Sequence, residues 1–463
     1  MTSRVAVSPA AGRDLSPGSR RPFSVVDELN CYLDSRAEPN NVHLEAWLPG
    51  PLSPDGLRAA VAAALAGSPQ LRARRAAGGW WRARYRWESP PEADVDPVSV
   101  VSWQDEAELD AARADFLAAT PPLGRAPLFR LLLARGPGWD GLVLNAHHAA
   151  FDGRSCLRLL TLIAEHYDSE PPHAPAAEAA RTARPRPAPP ARPAPLARPA
   201  PPARRPARKR PLASRLPLQR AARIASQHSG GRWPGRRPGH GVSLLGWPDV
   251  PAAPQPESGP GATVNDLLIA ALIQAVAAWN IPRRRPAERV RITMPVDTRP
   301  SGQGDELGNL ARLCTVTVDP LAAADLTATV AGQTRQAKDE LGPAVGPVPA
   351  AVAGTRLPAP VKRWLLRLAT RSVGWVGCDT SLLSNLGNVA DPPRFGALSP
   401  TRLWFSTSAH MPRGLSLGAA TVDGRLQLCL RYRNALLDEA AARDFAAEYA
   451  AALSALAGAR ARR

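Results

Sequence analysis

The sequence predicts a mixed α/β protein built of two lobes. At 463 residues the chain is too long for one ordinary hydrophobic core. Apolar residues with strand-like and helix-like spacing occur in both halves of the chain. A segment rich in Pro, Ala and Arg lies between the halves. We therefore expect a flexible tail over residues 1–21, a first lobe over 22–170, a disordered linker and loop over 171–239, and a second lobe over 240–463.

The first lobe is predicted to contain alternating strands and helices. Residues 42–48 are typical of a strand, and Ser53 is a favourable N-cap for a helix that continues through Leu65. Residues 141–146 form a short apolar run that indicates a buried strand. The apolar spacing of residues 155–167 predicts a helix that packs on the core.

The second lobe has the same mixed character. A helix is predicted to begin at Thr263-Val264. Strands rich in β-branched residues are predicted over 290–294 and 313–318, with a further strand over 426–432. A last helix is predicted near 439–456.

The most informative motif joins a strand to a helix. Residues 147–153 read HHAAFDG, with two adjacent histidines followed by an Asp-Gly pair. Histidine has an unperturbed pKa near neutrality, so it can accept a proton from a nucleophile and return it later. Loops on a rigid scaffold commonly carry catalytic groups. The motif therefore predicts general-base chemistry at this loop.

Each residue of the motif also has a simpler interpretation. His147 and His148 could be hydrogen-bonded histidines of the core. Asp152 precedes a predicted helix, where Asp is a favoured N-cap. Gly153 could supply only an unusual backbone angle. The complete pattern between strand and helix favours catalysis for His148.

The HHAAFDG segment resembles the HHxxxDG motif of condensation domains and CoA-dependent acyltransferases. Further segments resemble this superfamily, which includes stand-alone condensation proteins, polyketide-associated acyltransferases and wax ester synthases. They occur in an order that is more specific than any one of them: residues 22–30 (PFSVVDELN), 68–72 (SPQLR), 264–266 (VND), 294–300 (MPVDTRP), 307–309 (LGN) and 384–387 (SNLG).

The resemblance implies a fold and a set of roles. Two lobes like chloramphenicol acetyltransferase would form a V, with the active-site tunnel between them. His148 would be the general base, and His147 would be structural. Asp152 would point away from the substrate and form an ion pair with Arg299, and Gly153 would leave room for a pantetheine arm. The remaining pair, Ser384 and Asn385, would line the tunnel.

The resemblance also implies an acyl transfer reaction. The donor would be a thioester, on the phosphopantetheine of an acyl or peptidyl carrier protein or on CoA, and the acceptor a small alcohol or amine. The product would be an ester or amide, as in specialised-metabolite biosynthesis. No metal or redox cofactor is implied. Two alternatives remain: a wax-ester or diacylglycerol-type acyl-CoA acyltransferase, and a catalytically degenerate fold that recruits partners.

The formal net charge of +18 is concentrated in one segment. Residues 181–237 contain 15 Arg, Lys209 and no acidic residue, so all but two of the net charges lie there. Proline and like-charge repulsion favour a stiff, disordered spacer. Alternatively, its arginines attract an acidic carrier protein. Nucleic-acid binding is not favoured, because no aromatic residue alternates with the arginines before Trp233.

The cysteines and apolar segments indicate the compartment. The five cysteines are scattered and form no Cys-x-x-Cys pair, which is typical of a reducing cytoplasm. The Arg20-Arg21 pair is not followed by an apolar stretch, so an export signal is not predicted. The longest apolar helix candidate, 264–279, is interrupted by polar residues, and no membrane span is predicted.

Overall fold

The computed structural model describes residues 15, 18–169, 220–227, 239–246, 261–300, 306–341, 347–372 and 378–461 of the 463-residue chain. Helices and strands alternate along these residues, and the strands form two large sheets and one small sheet. The predicted mixed α/β architecture of two lobes is confirmed.

The first half of the chain builds most of one large sheet and a three-stranded sheet of order β1-β4-β3. Ser53 caps its second helix as predicted, because the hydroxyl accepts a hydrogen bond from Gly56 N (3.1 Å). The elements are β1 (Arg20–Pro22), α1 (Val25–Leu33), β2 (Asn41–Leu48), α2 (Pro54–Gly67), β3 (Arg74–Arg75), β4 (Arg86–Glu88), β5 (Val98–Ser102), α3 (Glu106–Leu117), β6 (Phe129–Arg135), β7 (Asp140–His147) and α4 (Gly153–Ser169).

The second half builds a six-stranded sheet of order β10-β9-β11-β13-β14-β8. Its first helix begins with a reciprocal capping box between Thr263 and Asp266. The elements are β8 (His240–Gly246), α5 (Val264–Asn280), β9 (Val290–Asp297), β10 (Ala311–Val318), α6 (Leu326–Asp339), α7 (Pro347–Gly354), α8 (Ala359–Ser372), β11 (Ser381–Asn388), β12 (Arg402–Thr407), β13 (Leu415–Val422), β14 (Arg425–Arg433) and α9 (Glu439–Ala461).

Strand β7 provides a rigid mount for the histidine motif. It pairs antiparallel with β2 from Asp140 to His147 and with β6 on its other side. All eight of its residues are buried. Helices α2 and α4 add apolar side chains to the same core, among them Leu57, Leu159 and Ile163. The position at which β7 ends is therefore fixed by a complete ladder and a packed core.

One strand of the second half belongs to the sheet of the first. β12 pairs antiparallel with β2, so the five-stranded sheet has the order β12-β2-β7-β6-β5. Its residues Leu403, Trp404 and Phe405 are buried. The predicted second lobe over 240–463 is therefore not one separate structural unit, because this strand covers the free edge of β2.

Two predicted flexible segments contain packed residues. Leu15 is buried, and Arg20–Pro22 forms β1, so the described part of the predicted tail belongs to the first lobe. Within the predicted linker, Ile224 is buried, and Ala225 N donates to Asn280 Oδ1 at 2.8 Å. Residues 220–227 thus pack on the second lobe. The remainder of the predicted linker, apart from Gly239, lies outside the described residues.

Helix α5 is the central helix of the second lobe. Together with the 3₁₀ turn Ile281–Arg283, it is long and apolar enough to cross a membrane by length and composition. The sequence predicted a shorter segment over 264–279, interrupted by polar residues and unable to span a membrane. The observed helix and turn correct that expectation of length and polarity. Most of its residues are buried, including Leu268, Ile269 and Leu272, so the lobe itself covers the apolar surface.

Candidate active site

The two histidines are held by backbone hydrogen bonds at the end of β7. His147 N donates to Leu128 O (2.9 Å), and His148 N donates to Asn40 O (3.0 Å). The carbonyl of His147 then accepts from Ala150 N (2.9 Å), which turns the chain toward α4. The strand and the turn together fix where each imidazole lies.

The His148 imidazole has one ring nitrogen engaged by the backbone. Its Nδ1 lies 3.0 Å from the carbonyl oxygen of Phe151. A carbonyl can only accept, so Nδ1 carries the proton and Nε2 keeps its lone pair. Burial lowers the pKa of His148, and the nearby Asp152 carboxylate and the Phe151 carbonyl offset this only in part. The ring is therefore neutral at neutral pH.

His147 has a different environment. It is buried, and its Nδ1 accepts a hydrogen bond from Ala149 N (3.0 Å). Its Nε2 lies 3.8 Å from Asp34 Oδ2. Burial lowers the pKa of His147 to about 4, although Asp34 acts in the opposite direction. A neutral ring in these contacts stabilises the turn.

Asp152 has both of the roles considered from the sequence. Its Oδ1 accepts from Ser155 N (2.8 Å), the contact of an N-cap, and from Arg299 Nη2 (3.0 Å), the predicted ion pair. Its Oδ2 accepts from Leu310 N (3.0 Å). The carboxylate is buried, and both of its oxygens accept hydrogen bonds. Asp152 therefore braces the loop.

The Arg299 side chain is only 3% exposed. It joins the loop that carries Asp152 to the segment between β9 and β10. Besides Asp152, its guanidinium donates to Ser155 Oγ (2.9 Å) and to the carbonyl oxygen of Glu306 (2.9 Å). It also pairs with Asp297 at 3.0 Å. The start of α4 is thus tied to the second lobe through one buried cation.

Gly153 is required for packing between elements. A Cβ at this position would lie 2.6 Å from the ring of Phe405 on β12 and 2.9 Å from Leu386 on β11. The expected role was to leave room for a pantetheine arm. The space beside its Cα is instead filled by these two side chains, although the backbone of Gly153 borders the cavity described next.

A cavity of about 250 Å³ lies beside His148. Its walls come from α1, the histidine loop, β9, β10 and β11, and the segment after β12. The predicted residues Ser384 and Asn385 both line it, as do Asp152, Gly153 and Arg299. The other lining residues are Val26, Leu29, Asn30, Leu33, Asn40, Arg154, Pro295, Asp297, Asn309, Ala311, Leu313, Leu382, Leu386, Thr407, Ser408, His410 and Arg413.

Three polar residues at this cavity were not singled out from the sequence as site residues. Asn309 Nδ2 donates to the carbonyl oxygens of His148 and Ala149, both at 2.9 Å. Asn40 Oδ1 lies 3.1 Å from His410 Nε2, and burial lowers the pKa of His410 to about 3. These side chains hold the loop and the segment after β12 in place.

Two further features bear on cofactors and redox state. Among the described residues, no group of three or more His, Cys, Asp and Glu side chains could hold a metal ion. All five cysteines are described, and each is a free thiol. Burial raises the pKa of Cys156 on α4 well above its usual value, so this thiol is un-ionised beside the site.

The fold is that of condensation domains, to which the chain aligns over nearly its whole length. The first condensation domain of the calcium-dependent antibiotic synthetase aligns with a TM-score of 0.63 and 15% identity, covering 96% of this chain and 97% of that chain. The epimerization domain of tyrocidine synthetase B aligns with a TM-score of 0.60 and 14% identity, covering 96% of this chain and 98% of that chain. A mutant of the starter condensation domain of rhizomide synthetase RzmA aligns with a TM-score of 0.56 and 14% identity, covering 94% of this chain and 92% of that chain. No family model matches the chain.

A sequence relative defines the family more narrowly. The chain belongs to the same family as the uncharacterized protein Rv2305 of Mycobacterium tuberculosis (strain ATCC 25618 / H37Rv). The two are 32% identical over 440 residues, which is 92% of this chain and 97% of the relative. The uncharacterized protein MT2362 of strain CDC 1551 / Oshkosh matches to the same extent.

Proposed function

We propose that this protein is a condensation-type acyltransferase that moves an acyl group from a thioester to an alcohol or amine. The observation that carries the proposal is the state of His148. Its Nδ1 is engaged by the Phe151 carbonyl, its pKa is lowered by burial, and its side chain lines a cavity where several elements meet. A neutral imidazole placed in this way is suited to general-base catalysis.

The proposed reaction has two proton transfers. As the acceptor oxygen or nitrogen attacks the thioester carbonyl, its proton passes to Nε2 of His148. The tetrahedral intermediate then collapses with cleavage of the carbon–sulfur bond. The thiolate leaves and takes the proton back from Nε2. His148 thus ends the cycle in its starting form, and Asp152 and Arg299 take no proton but keep the loop in position.

The proposed donor is a thioester of a carrier protein or of CoA. The rhizomide synthetase domain named above was solved in complex with C8-CoA and Leu-SNAC. For this chain, the choice of donor also separates the condensation reaction from a wax-ester-type reaction with acyl-CoA. The acceptor is proposed to be small, because the cavity volume is about 250 Å³.

The test uses the full chain with carrier-bound acyl groups, acyl-CoA and N-acetylcysteamine thioesters, each offered to alcohols and amines. His148→Ala should lower turnover by about 10²–10⁴-fold. The matched control is His166→Ala. His166 lies on α4, away from the histidine motif, and its substitution should retain wild-type turnover. Turnover of His148→Ala within about twofold of wild type would contradict the general-base role.

A second measurement covers the other chemistry known for this fold. The tyrocidine neighbour is an epimerization domain, so each thioester is also incubated in deuterated water and analysed for exchange at its α-carbon. Ester or amide formation without exchange supports acyl transfer. Exchange without transfer would replace the proposal by proton abstraction, and neither reaction with the whole panel would favour a recruitment module.

A further inference from the structure

Three tryptophans project from the surface of the described chain. Trp80 and Trp81 expose 71% and 66% of their area and occupy the tip of a turn in which Arg82 N donates to Gly79 O (3.2 Å). Trp364 on α8 exposes 61%. Together with three exposed aliphatic residues they form what we call the tryptophan patch: Trp80, Trp81, Leu357, Val361, Trp364 and Leu368.

The two parts of the patch are held next to each other, because hydrogen bonds join the turn to α8. Ala359 N donates to Arg82 O (3.0 Å), and Lys362 Nζ donates to Ala83 O (2.8 Å). Both contacts tie the residues that follow the tryptophan turn to the first turn of α8. The turn is thus held against the N-terminal end of the helix.

Helix α8 presents two opposite apolar faces. Residues 361, 364 and 368 recur at helical spacing and lie on one side, which is exposed. Ala359 and Leu366 lie on the other side and pack with Tyr32 of α1. The core therefore accounts for one face of the helix only. A second, exposed apolar face next to projecting tryptophans indicates an interaction surface.

The surroundings of the patch are cationic. Residues 74–87 and 355–372, which supply all six members, contain no Asp or Glu. Arg82, Arg84, Arg86 and Arg356 are exposed beside the patch. Tryptophan prefers the interface between water and acyl chains, and each arginine near an anionic membrane adds about 1 kcal/mol of attraction.

We propose that the tryptophan patch binds the surface of an anionic lipid membrane. The side chains project from a turn and from a helix face, which is the arrangement that inserts into a headgroup layer. The charge around them complements anionic lipid. The inference is independent of the acyl transfer reaction, because the patch shares no residue with the cavity beside His148.

Helix α1 lies between the tryptophan patch and the cavity beside His148. Its residues Val26, Asn30 and Leu33 line the cavity, while Tyr32 packs against α8. One nine-residue helix thus separates the cavity from the helix that carries Trp364. Binding through the patch would place this wall of the cavity toward the membrane.

The experiment is sedimentation of the full chain with vesicles of phosphatidylcholine alone and of equimolar phosphatidylcholine and phosphatidylglycerol. We expect binding to the anionic vesicles, weakened by salt. The double substitution Trp80→Ala/Trp81→Ala should lower the partition coefficient about tenfold or more. Leu368→Ala should also lower it, whereas Leu321→Ala, a matched control at an exposed leucine of the second lobe, should not.

A measurement on the unaltered chain keeps the test independent of folding. Lipids brominated near the headgroup should quench its tryptophan fluorescence in anionic vesicles, and circular dichroism checks that each variant is folded. Absence of vesicle binding, or binding that the patch variants leave unchanged, would overturn the proposal. If wild type ignores vesicles but forms a dimer, or a complex with an acidic carrier protein, that the patch variants lose, the patch is a protein interface instead.

Discussion

Replacing Asp152 by alanine should destabilise the protein strongly. The carboxylate is buried and accepts hydrogen bonds from Ser155 N, Arg299 Nη2 and Leu310 N. The substitution removes all three contacts at once. It also leaves Arg299, whose side chain is only 3% exposed, without its most buried anionic partner.

The expected loss follows from two contributions. Removing one partner of a buried ion pair costs about 3–5 kcal/mol. Asp297 remains 3.0 Å from Nη1 of Arg299, so the lower end of that range applies. Loss of the N-cap adds about 1 kcal/mol. We therefore expect the free energy of unfolding to fall by about 4 kcal/mol.

Urea denaturation followed by circular dichroism measures this loss, and two variants separate its causes. Asp105→Ala removes an exposed N-cap of α3 that accepts from Glu108 N (2.9 Å), so it should cost only about 1 kcal/mol. His148→Ala should also cost less than Asp152→Ala. If Asp152→Ala and Asp105→Ala lose the same free energy, the ion pair contributes nothing and the reasoning is refuted.

Three further predictions concern pH and packing. Because burial lowers the pKa of His148, the rate of acyl transfer should reach half of its maximum below pH 6.5, and a half-maximal rate above pH 6.5 would contradict this. Between pH 6.5 and about 4, His147 binds a proton in the unfolded chain but not in the folded protein. The free energy of unfolding should therefore decrease by up to about 3 kcal/mol as the pH is lowered through this range. His147→Gln should flatten that dependence in urea titrations. Gly153→Ala should cost about 1–3 kcal/mol because of the contact with Phe405, and adding Phe405→Leu should recover part of the loss if that contact is the cause.

Much of the fold follows from local patterns. The apolar run before the histidines predicted a strand over 141–146, and the structure extends it to Asp140–His147. Strand β12 was not predicted, because its partner β2 lies more than 350 residues earlier and no local pattern encodes such a pairing. The packed residues 220–227 were also missed, since Arg-Pro-Ala composition dominates the segment before them.

The site was predicted to the extent that a motif encoded it. The HHxxxDG pattern carries His148, Asp152 and Gly153, and the resemblance of residues 294–300 supplied Arg299. His410 and Asn40 belong to no pattern and enter the cavity through tertiary packing. The sequence signal nearest to His410 is the apolar run of Leu403, Trp404 and Phe405, which ends five residues before it. The packing role of Gly153 depends on Phe405, which only the tertiary structure brings close.

The crossing of β12 constrains how the chain is made. During synthesis, β2 emerges early, and its outer edge stays without a partner until residues 402–407 have left the ribosome. An unpaired strand edge can pair with other chains. A fragment that stops before residue 402 should therefore aggregate even though it contains the whole histidine motif. The nascent first half depends on residues 402–407, or on a chaperone, to protect that edge.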